Sequence, residues 1–138
     1  ETRTAEAAFR NSAVAGVYDV ERDPGGREFR WTGESAAWLI ERPPVAPGSE
    51  PFVLALRVRN GRPDGRPAAV DVFFDDALRG RVTLPPDSWR RIELTVSPET
   101  RGVLRIRAVD AFRPPSRQDR RLLGIQIGSG PTFRPAAP

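Results

Sequence analysis

The fold class is decided by the stretch Phe52-Val53-Leu54-Ala55-Leu56-Arg57-Val58-Arg59, which is followed by Asn60-Gly61. Its large apolar side chains recur at every second position, and arginines take the alternate positions 57 and 59 at its end. A period of two sends alternate side chains to opposite faces of a strand, whereas a helix would need a period of 3.6. The stretch therefore predicts a β-strand with one buried and one solvated face.

The same period recurs on both sides of this stretch, and turn residues separate the runs. Acidic residues Asp75-Asp76 predict a tight hairpin between two of the strands. We expect an all-β, antiparallel two-sheet β-sandwich, jelly-roll-like, with about eight or nine strands. The alternating runs are centred on Phe29-Trp31, Trp38-Ile40, Val70-Phe74, Ile92-Val96, Leu104-Ala108 and Leu123-Ile127.

The two ends of the chain lack this pattern. Residues 1–13 predict a flexible linker or a short helix, residues 14–128 the β-sandwich domain, and residues 129–138 a flexible, Pro-rich tail. No apolar run approaches the ~20 residues of a membrane span, and no apolar leader opens the chain. Because the chain contains no Met, we expect it to be a processed product or a segment of a larger protein.

Composition excludes the common catalytic centres. The 138 residues include no Cys and no His, which removes thiolate nucleophiles, the commonest general base and the commonest metal ligand. No nucleophile or phosphate-loop motif occurs. We expect no cofactor, no metal and no catalytic residue, although Asp75-Asp76 keeps a calcium ligand as an alternative to a simple turn.

Arginine supplies all 22 basic residues, against 18 acidic ones. A guanidinium suits phosphate, but a GC-rich coding bias explains the same composition, and no long basic block occurs. We expect no nucleic-acid partner. On the solvated faces, Arg57, Arg59, Arg105 and Arg107 are predicted to pair across strands with Asp71, Glu93 and Glu41, and a polar binding face is the alternative.

Aromatic residues and one charged turn leave alternatives open. Trp31, Trp38 and Trp89 each fit either core packing or an exposed stacking platform. Trp31 favours the core because Phe29 shares its face, and Trp89 is placed to start a strand and plug one end of the sandwich. The turn Arg62-Pro63-Asp64-Gly65-Arg66 predicts an exposed loop tip, with phosphate contact as the alternative.

The most distinctive segment runs from Phe112 to Ile127, FRPPSRQDRRLLGIQI. A polar, Pro-rich loop is predicted to lead into a last strand beginning at Arg121 or Leu122. Asp119 and Arg121 lie two residues apart at its mouth, where a buried or half-buried pair would hold the loop by charge-assisted hydrogen bonds. Gly124 within the strand indicates a bulge or a close approach of backbone.

This segment, an F-x-P followed by D-x-R-x-L-G-I, resembles jelly-roll, carbohydrate-binding-module-like accessory domains of bacterial glycosyltransferases, including multi-pass membrane glycosyltransferases. Two earlier segments share the likeness: Gly16-Val17-Tyr18 with Glu21, and Phe29-Arg30-Trp31-Thr32-Gly33. The resemblance covers about residues 16–128. It implies a non-catalytic, carbohydrate-binding-like domain on the extracytoplasmic side of a membrane, tethered through a larger protein.

A sugar-binding site needs aromatic rings beside planar polar side chains. The candidate ligand-binding residues are Trp31, Tyr18, Arg113, Asp119 and Arg121, and the expected partners are a glycan or lipid-linked sugar and the membrane part of the parent protein. Two alternatives stay open. One is a structural or protein-interaction domain that braces a membrane protein, and the other is a jelly-roll glycoside hydrolase or lyase with two carboxylates in a groove.

Overall fold

Nine strands and their connections make up the described part of the chain. The computed structural model describes residues 14–41, 51–96 and 101–135. The predicted linker 1–13 and the prolines and glycine between 43 and 48 therefore lie outside it. In chain order the strands are β1 (Val14–Val17), β2 (Glu21–Arg22), β3 (Glu28–Glu41), β4 (Phe52–Arg59), β5 (Ala68–Phe74), β6 (Ala77–Leu84), β7 (Trp89–Val96), β8 (Arg101–Ala108) and β9 (Gln126–Pro135).

The long strand β3 belongs to both sheets of a sandwich. Its second half, Ser35–Glu41, pairs with β8, while Arg30 and Trp31 in its first half pair with β9. The hydrogen-bonded path is β6-β5-β8-β3-β9-β4-β7, with β1 and β2 also on β3. We call β6-β5-β8-β3 sheet one and β3-β9-β4-β7 sheet two. All these pairings are antiparallel, which confirms the predicted all-β sandwich.

The main core lies between the two sheets and follows the period of two seen in the sequence. Buried side chains recur at every second position of β4, at Leu54, Leu56 and Val58, which are at most 2% exposed. Other strands and the residue just before β9 contribute Ala36, Trp38, Ile40, Val70, Val72, Phe74, Ile92, Val96, Leu104, Ile106, Ile125 and Ile127. Trp38 is thus a core residue, and the alternation predicted the inward face of most strands correctly.

Asp75-Asp76 forms the predicted hairpin between β5 and β6. Both residues have positive φ, 49° and 66°, as two-residue hairpin turns require. The Asp75 carboxylate accepts a hydrogen bond from the backbone N–H of Val103 at 2.8 Å. Asp75 therefore joins the hairpin to β8, which gives its carboxylate a structural role.

The C-terminal region differs from the prediction in two ways. The last strand begins at Gln126, because residues 123–125 meet Phe112 and Thr32 through isolated backbone hydrogen bonds. The strand then continues to Pro135 and pairs with β4 as far as Phe52, so the part of the predicted tail up to residue 135 is strand. Glycine and proline interrupt the alternating pattern in residues 129–135, so the sequence did not predict a strand there. Backbone pairing with β4 holds these residues in the sheet.

On the outer face of sheet one, the expected pair of Arg107 with Asp71 forms, and Arg81, which was not among the predicted partners, joins it. Asp71 is 3% exposed and receives hydrogen bonds from Arg81 at 2.7 and 3.1 Å and from Arg107 at 3.3 Å. The Arg81 guanidinium, together with Arg107, lowers the pKa of this carboxyl.

Within the residues that the structure describes, there is no helix long and apolar enough to cross a membrane.

Candidate functional site

A second cluster of aromatic side chains lies apart from the main core, where the first half of β3 meets the segment from Phe112 to Leu123. Phe29, Trp31 and Leu123 are buried at its centre, and the half-buried rings of Tyr18, Phe112 and Trp89 pack around them. The Trp31 ring meets Phe29 and Phe112 edge-on, with centroids 6.5 and 5.6 Å apart, a favourable geometry for aromatic pairs. We call this set the aromatic cluster.

Trp31 is 8% exposed and presents no open ring face. A side chain at Gly61 would meet its ring at 2.9 Å, so the chain after β4 closes over it. Trp31 therefore packs as a core residue, and its place among the predicted ligand-binding residues stays a prediction. Its alternation with Phe29 was read correctly, but the face that they share belongs to the aromatic cluster and not to the space between the sheets.

Each ring at the rim of the aromatic cluster is covered by at least one guanidinium. Arg121 lies 5.2 Å from the ring centroid of Tyr18, and Arg62 lies 5.0 Å from that of Phe112. Trp89 has two such neighbours, described below. Guanidinium–ring contacts within about 6 Å are attractive. What distinguishes the three positions is whether a carboxylate neutralises the arginine.

The Arg121 position is neutralised and held on both sides. Arg121 donates to both carboxylate oxygens of Asp119, at 2.9 and 2.7 Å, and to Glu21 at 2.9 Å. These bonds lower the pKa of Asp119 and raise that of Arg121. Tyr18 donates its hydroxyl to the carbonyl of Leu122 at 3.2 Å. The half-buried Asp119–Arg121 pair anticipated from the sequence therefore exists and fixes the loop.

Arg113 holds the same loop from outside. It is exposed, and its Nη1 donates to the backbone carbonyl of Arg120. The structure thus brings Tyr18, Asp119 and Arg121 into direct contact and places Arg113 on the same segment. The polar atoms of these residues already bond to one another or to the backbone. Their first role is therefore to stabilise the loop.

The Arg62 guanidinium is also neutralised by a carboxylate, and its burial differs from the exposed loop tip that the sequence predicted. Arg62 is 8% exposed, so this end of the predicted loop tip is buried. It donates to Asp64 at 3.1 and 2.8 Å, and its third nitrogen bonds to the carbonyl of Asp110. Contact with the Phe112 ring draws the side chain inward, so Arg62 is not available to a phosphate.

The Asp64 carboxyl should make stability depend on pH in the acid range. Hydrogen bonds from the Arg62 side chain and the Arg66 backbone lower its pKa from 3.8 to about 2. A carboxyl whose pKa is lowered by folding stabilises the folded state above its unfolded pKa, and this contribution is lost as pH falls through the folded pKa. We therefore expect the urea midpoint to fall between about pH 4 and pH 2.

The check is urea unfolding at pH 5, 3.5 and 2.5 for the native chain and for Asp64→Asn. The variant should lose part of the acid dependence, since it has no carboxyl to protonate at this position. Equal slopes of midpoint against pH in the two proteins would contradict the assignment of this dependence to Asp64.

The third position, around Trp89, is the one whose arginines are not neutralised. The guanidinium carbons of Arg57 and Arg59 lie 4.7 and 5.1 Å from the Trp89 ring centroid. Arg59 Nε donates to Gln126 Oε1 at 2.7 Å. In the described part of the chain, neither arginine has a carboxylate oxygen within 4 Å. The expected cross-strand pairing with acids therefore fails for these two residues.

Strand register explains this arrangement. Arg59 lies directly opposite Trp89, and Arg57 directly opposite Arg91, in the β4–β7 pairing. Trp89 reaches across β4 to β9, where a side chain at Gly128 would meet its ring at 2.9 Å. Trp89 starts β7 as expected, but it lies along the outer face of sheet two. We call the set Arg57, Arg59, Trp89, Arg91 and Gln126 the arginine face.

Known proteins resemble this chain in structure. No family model and no curated protein matches its sequence. A family 35 carbohydrate-binding module from Clostridium thermocellum matches with a TM-score of 0.52 and 11% identity, over 88% of this chain and 95% of that one. A family GH115 4-O-methyl-α-glucuronidase with specificity for decorated arabinogalactans matches with a TM-score of 0.51 and 11% identity, over 91% of this chain but 18% of the enzyme. At this identity the likeness shows a shared jelly-roll fold.

Proposed function

We propose that this chain is a non-catalytic glycan-binding domain and that the arginine face contacts the glycan. The observation that carries the proposal is the pair of guanidiniums, Arg57 and Arg59, held against Trp89 with no carboxylate partner among the described residues. Planar donors that are already oriented lose little entropy when they bond to a ligand. The likeness to a carbohydrate-binding module supports the ligand class by analogy of fold.

The carboxylates of the domain support a non-catalytic role. An acid catalyst in glycoside hydrolysis needs a raised pKa, whereas hydrogen bonds from arginine lower the pKa of Asp64, Asp71 and Asp119. In the described residues there is also no group of three or more acidic, His or Cys side chains that could hold a metal ion. The arrangement suits binding by hydrogen bonds and charge.

The wider setting rests on the sequence resemblance to accessory domains of bacterial glycosyltransferases. It supports a place on the extracytoplasmic side of a glycan-handling protein such as a membrane glycosyltransferase. A glycan or lipid-linked sugar would then be the ligand, and the membrane part of the parent protein a second partner. The reading frame around this segment tests this setting, which would be abandoned if no membrane or glycan-processing region flanks it.

Removing one unpaired guanidinium should weaken glycan binding with little effect on the fold. Arg57 is exposed, so Arg57→Gln should keep the native unfolding midpoint while lowering affinity about tenfold, the equivalent of one charge-assisted hydrogen bond. Affinity electrophoresis through gels containing xylan, galactomannan, arabinogalactan or phosphomannan measures the retardation. The matched control is Arg117→Gln, an exposed arginine in the 112–122 loop away from the arginine face.

Retardation by at least one polysaccharide, lost in Arg57→Gln and kept in Arg117→Gln, is the expected result. If no polysaccharide retards the native chain, the glycan-binding proposal is wrong. If Arg57→Gln and Arg117→Gln behave alike, the glycan site lies elsewhere on the domain.

A second candidate is a protein-interaction domain, favoured by the outer face and edge of sheet one. Leu78 on the edge strand β6 is 60% exposed, and Val103 on β8 is 39% exposed. Leu78 lies on the strand that ends the hydrogen-bonded path of the described residues, and Val103 lies two strands away from it. An exposed apolar side chain on an edge strand suits a protein partner. Light scattering that shows a monomer across a wide concentration range would argue against self-association through this edge.

A further inference from the structure

We propose that the arginine face selects saccharides that carry a phosphate group over neutral ones. This inference rests on the proposed glycan-binding function and adds the chemical class of the ligand. It is carried by the charge of the face, by the partners that hold its arginines, and by the contrast with the arginines that lie over the other aromatic rings.

The charge on the arginine face is concentrated and positive. Arg57 and Arg91 lie directly opposite each other on β4 and β7, both exposed, and Arg59 lies two residues along β4. Like charges at directly opposite positions destabilise a sheet. Arg91 has Glu93 at 3.8 Å, whereas Arg57 and Arg59 have no carboxylate in reach within the described ranges. A bound anion would relieve the repulsion.

Among the described residues, the arginines that lie over other aromatic rings each have a carboxylate partner. Arg62 binds Asp64, Arg105 lies 3.7 Å from Asp76, and Arg121 binds Asp119 together with Glu21. At the arginine face, an aromatic ring and an amide take the place of the carboxylate. These partners orient the guanidiniums and leave their charge intact, which is the arrangement that an anion-binding site needs.

The donors that remain at the face match a phosphate better than a carboxylate. Arg59 uses Nε for Gln126, so its two terminal nitrogens have no protein acceptor among the described residues. The Arg57 guanidinium lies over the Trp89 ring and, in the described part of the chain, has no carboxylate within 4 Å. A phosphate offers three acceptor oxygens and a charge of about −1.5 to −2 at neutral pH, whereas a carboxylate offers two oxygens and a single charge. Two or three guanidiniums therefore fit a phosphate more completely.

Isothermal titration of the full 138-residue chain tests the proposal with four small probes: glucose, glucose 1-phosphate, glucuronate and inorganic phosphate. Tryptophan fluorescence gives a second readout, because Trp89 lies in the face. We expect glucose 1-phosphate to bind at least about tenfold more tightly than the other three. The preference should shrink as salt rises from about 50 to 500 mM, because screening weakens exposed charge interactions.

Three variants assign the preference to the arginine face. Arg57→Gln and Arg59→Gln should each reduce it, and Arg57→Lys should restore it in part, since Lys keeps the charge but not the planar fork. Arg117→Gln should bind glucose 1-phosphate as the native chain does. Thermal unfolding of each variant checks that a lost preference does not come from a lost fold.

The outcomes separate this inference from the function on which it rests. Equal affinity for glucose and glucose 1-phosphate overturns the phosphate preference, and retardation by a neutral polysaccharide in the gel experiment would still support glycan binding. A glucuronate affinity equal to that of glucose 1-phosphate overturns the assignment of phosphate in favour of any anionic sugar. Equal binding of inorganic phosphate shows an anion site without saccharide recognition, which overturns the inference as well.

Discussion

Replacing Gly124 with Ala should lower the free energy of unfolding by about 3 kcal/mol, at the upper end of what overpacking costs. A Cβ at this position would collide with the carbonyl oxygen of Gly33 and would lie 2.6 Å from Oγ1 of Thr32 and 3.0 Å from the Cβ of Ala108. The nearest of these atoms belongs to backbone on the neighbouring strand β3, which cannot turn aside as a flexible side chain could. The segment around Gly124 and strand β3 must move apart to admit the methyl group.

The backbone bonds around Gly124 would be strained by such a separation. The Gly124 N–H donates to the carbonyl of Thr32 at 2.9 Å, and the Thr32 N–H donates to the carbonyl of Ile125 at 2.8 Å. Gly80→Ala is the control, because a Cβ at Gly80 would meet nothing within 4 Å. Urea unfolding measures both variants, and similar losses at the two positions would contradict the role of close approach at Gly124.

Replacing Asn60 with Ala should cost about 2–3 kcal/mol of unfolding free energy, because it leaves buried polar groups without partners. Asn60 is 1% exposed. Its amide nitrogen donates to the carbonyls of Arg66 at 2.7 Å and Leu84 at 3.2 Å, and its Oδ1 accepts from the backbone of Arg62 at 3.0 Å. One side chain thus ties the loop after β4 to the end of β6.

A second substitution distinguishes the loss of the hydrogen-bond donors of Asn60 from the loss of its side-chain volume. Asn60→Asp keeps the acceptor for Arg62 but turns a carboxylate toward two carbonyl oxygens, so at neutral pH it should destabilise at least as much as Ala. Arg66→Ala is the control, since Arg66 is exposed and meets Asn60 only through its backbone. An Asn60→Ala variant with a native urea midpoint would show that water replaces all three bonds.

Local pattern was enough to predict the strands and several of their details. A period of two identified the inward faces of β4, β5 and β8, because side-chain direction depends on neighbours one and two residues away. The Asp75-Asp76 hairpin and the Asp119–Arg121 pair could also be predicted from the sequence, since the groups involved are adjacent or two residues apart. Such features need no knowledge of which strands become neighbours.

Predicting the arginine face would have required knowing which strands become neighbours. Arg57 and Arg59 are separated from Trp89 by about thirty residues of sequence, and only the β4–β7 register brings them together. The same limit explains Trp31, whose alternation is that of a core residue but whose contacts come from the loops. Beyond residue 128 the sequence offers glycine and proline in place of alternating side chains, so the pairing of β9 with β4 through backbone bonds left no pattern to recognise.

The sharing of β3 between the two sheets has a consequence for modularity. Neither sheet is complete without a half of that one continuous strand, and the arginine face lies on the sheet that uses its first half. A fragment carrying only β4, β7 and β9 would lose the strand that closes its sheet and one wall of its core. The sandwich is consequently the smallest unit that recombination could transfer between proteins with its surface intact, and grafting the surface without the whole of β3 would transfer only an unfolded peptide.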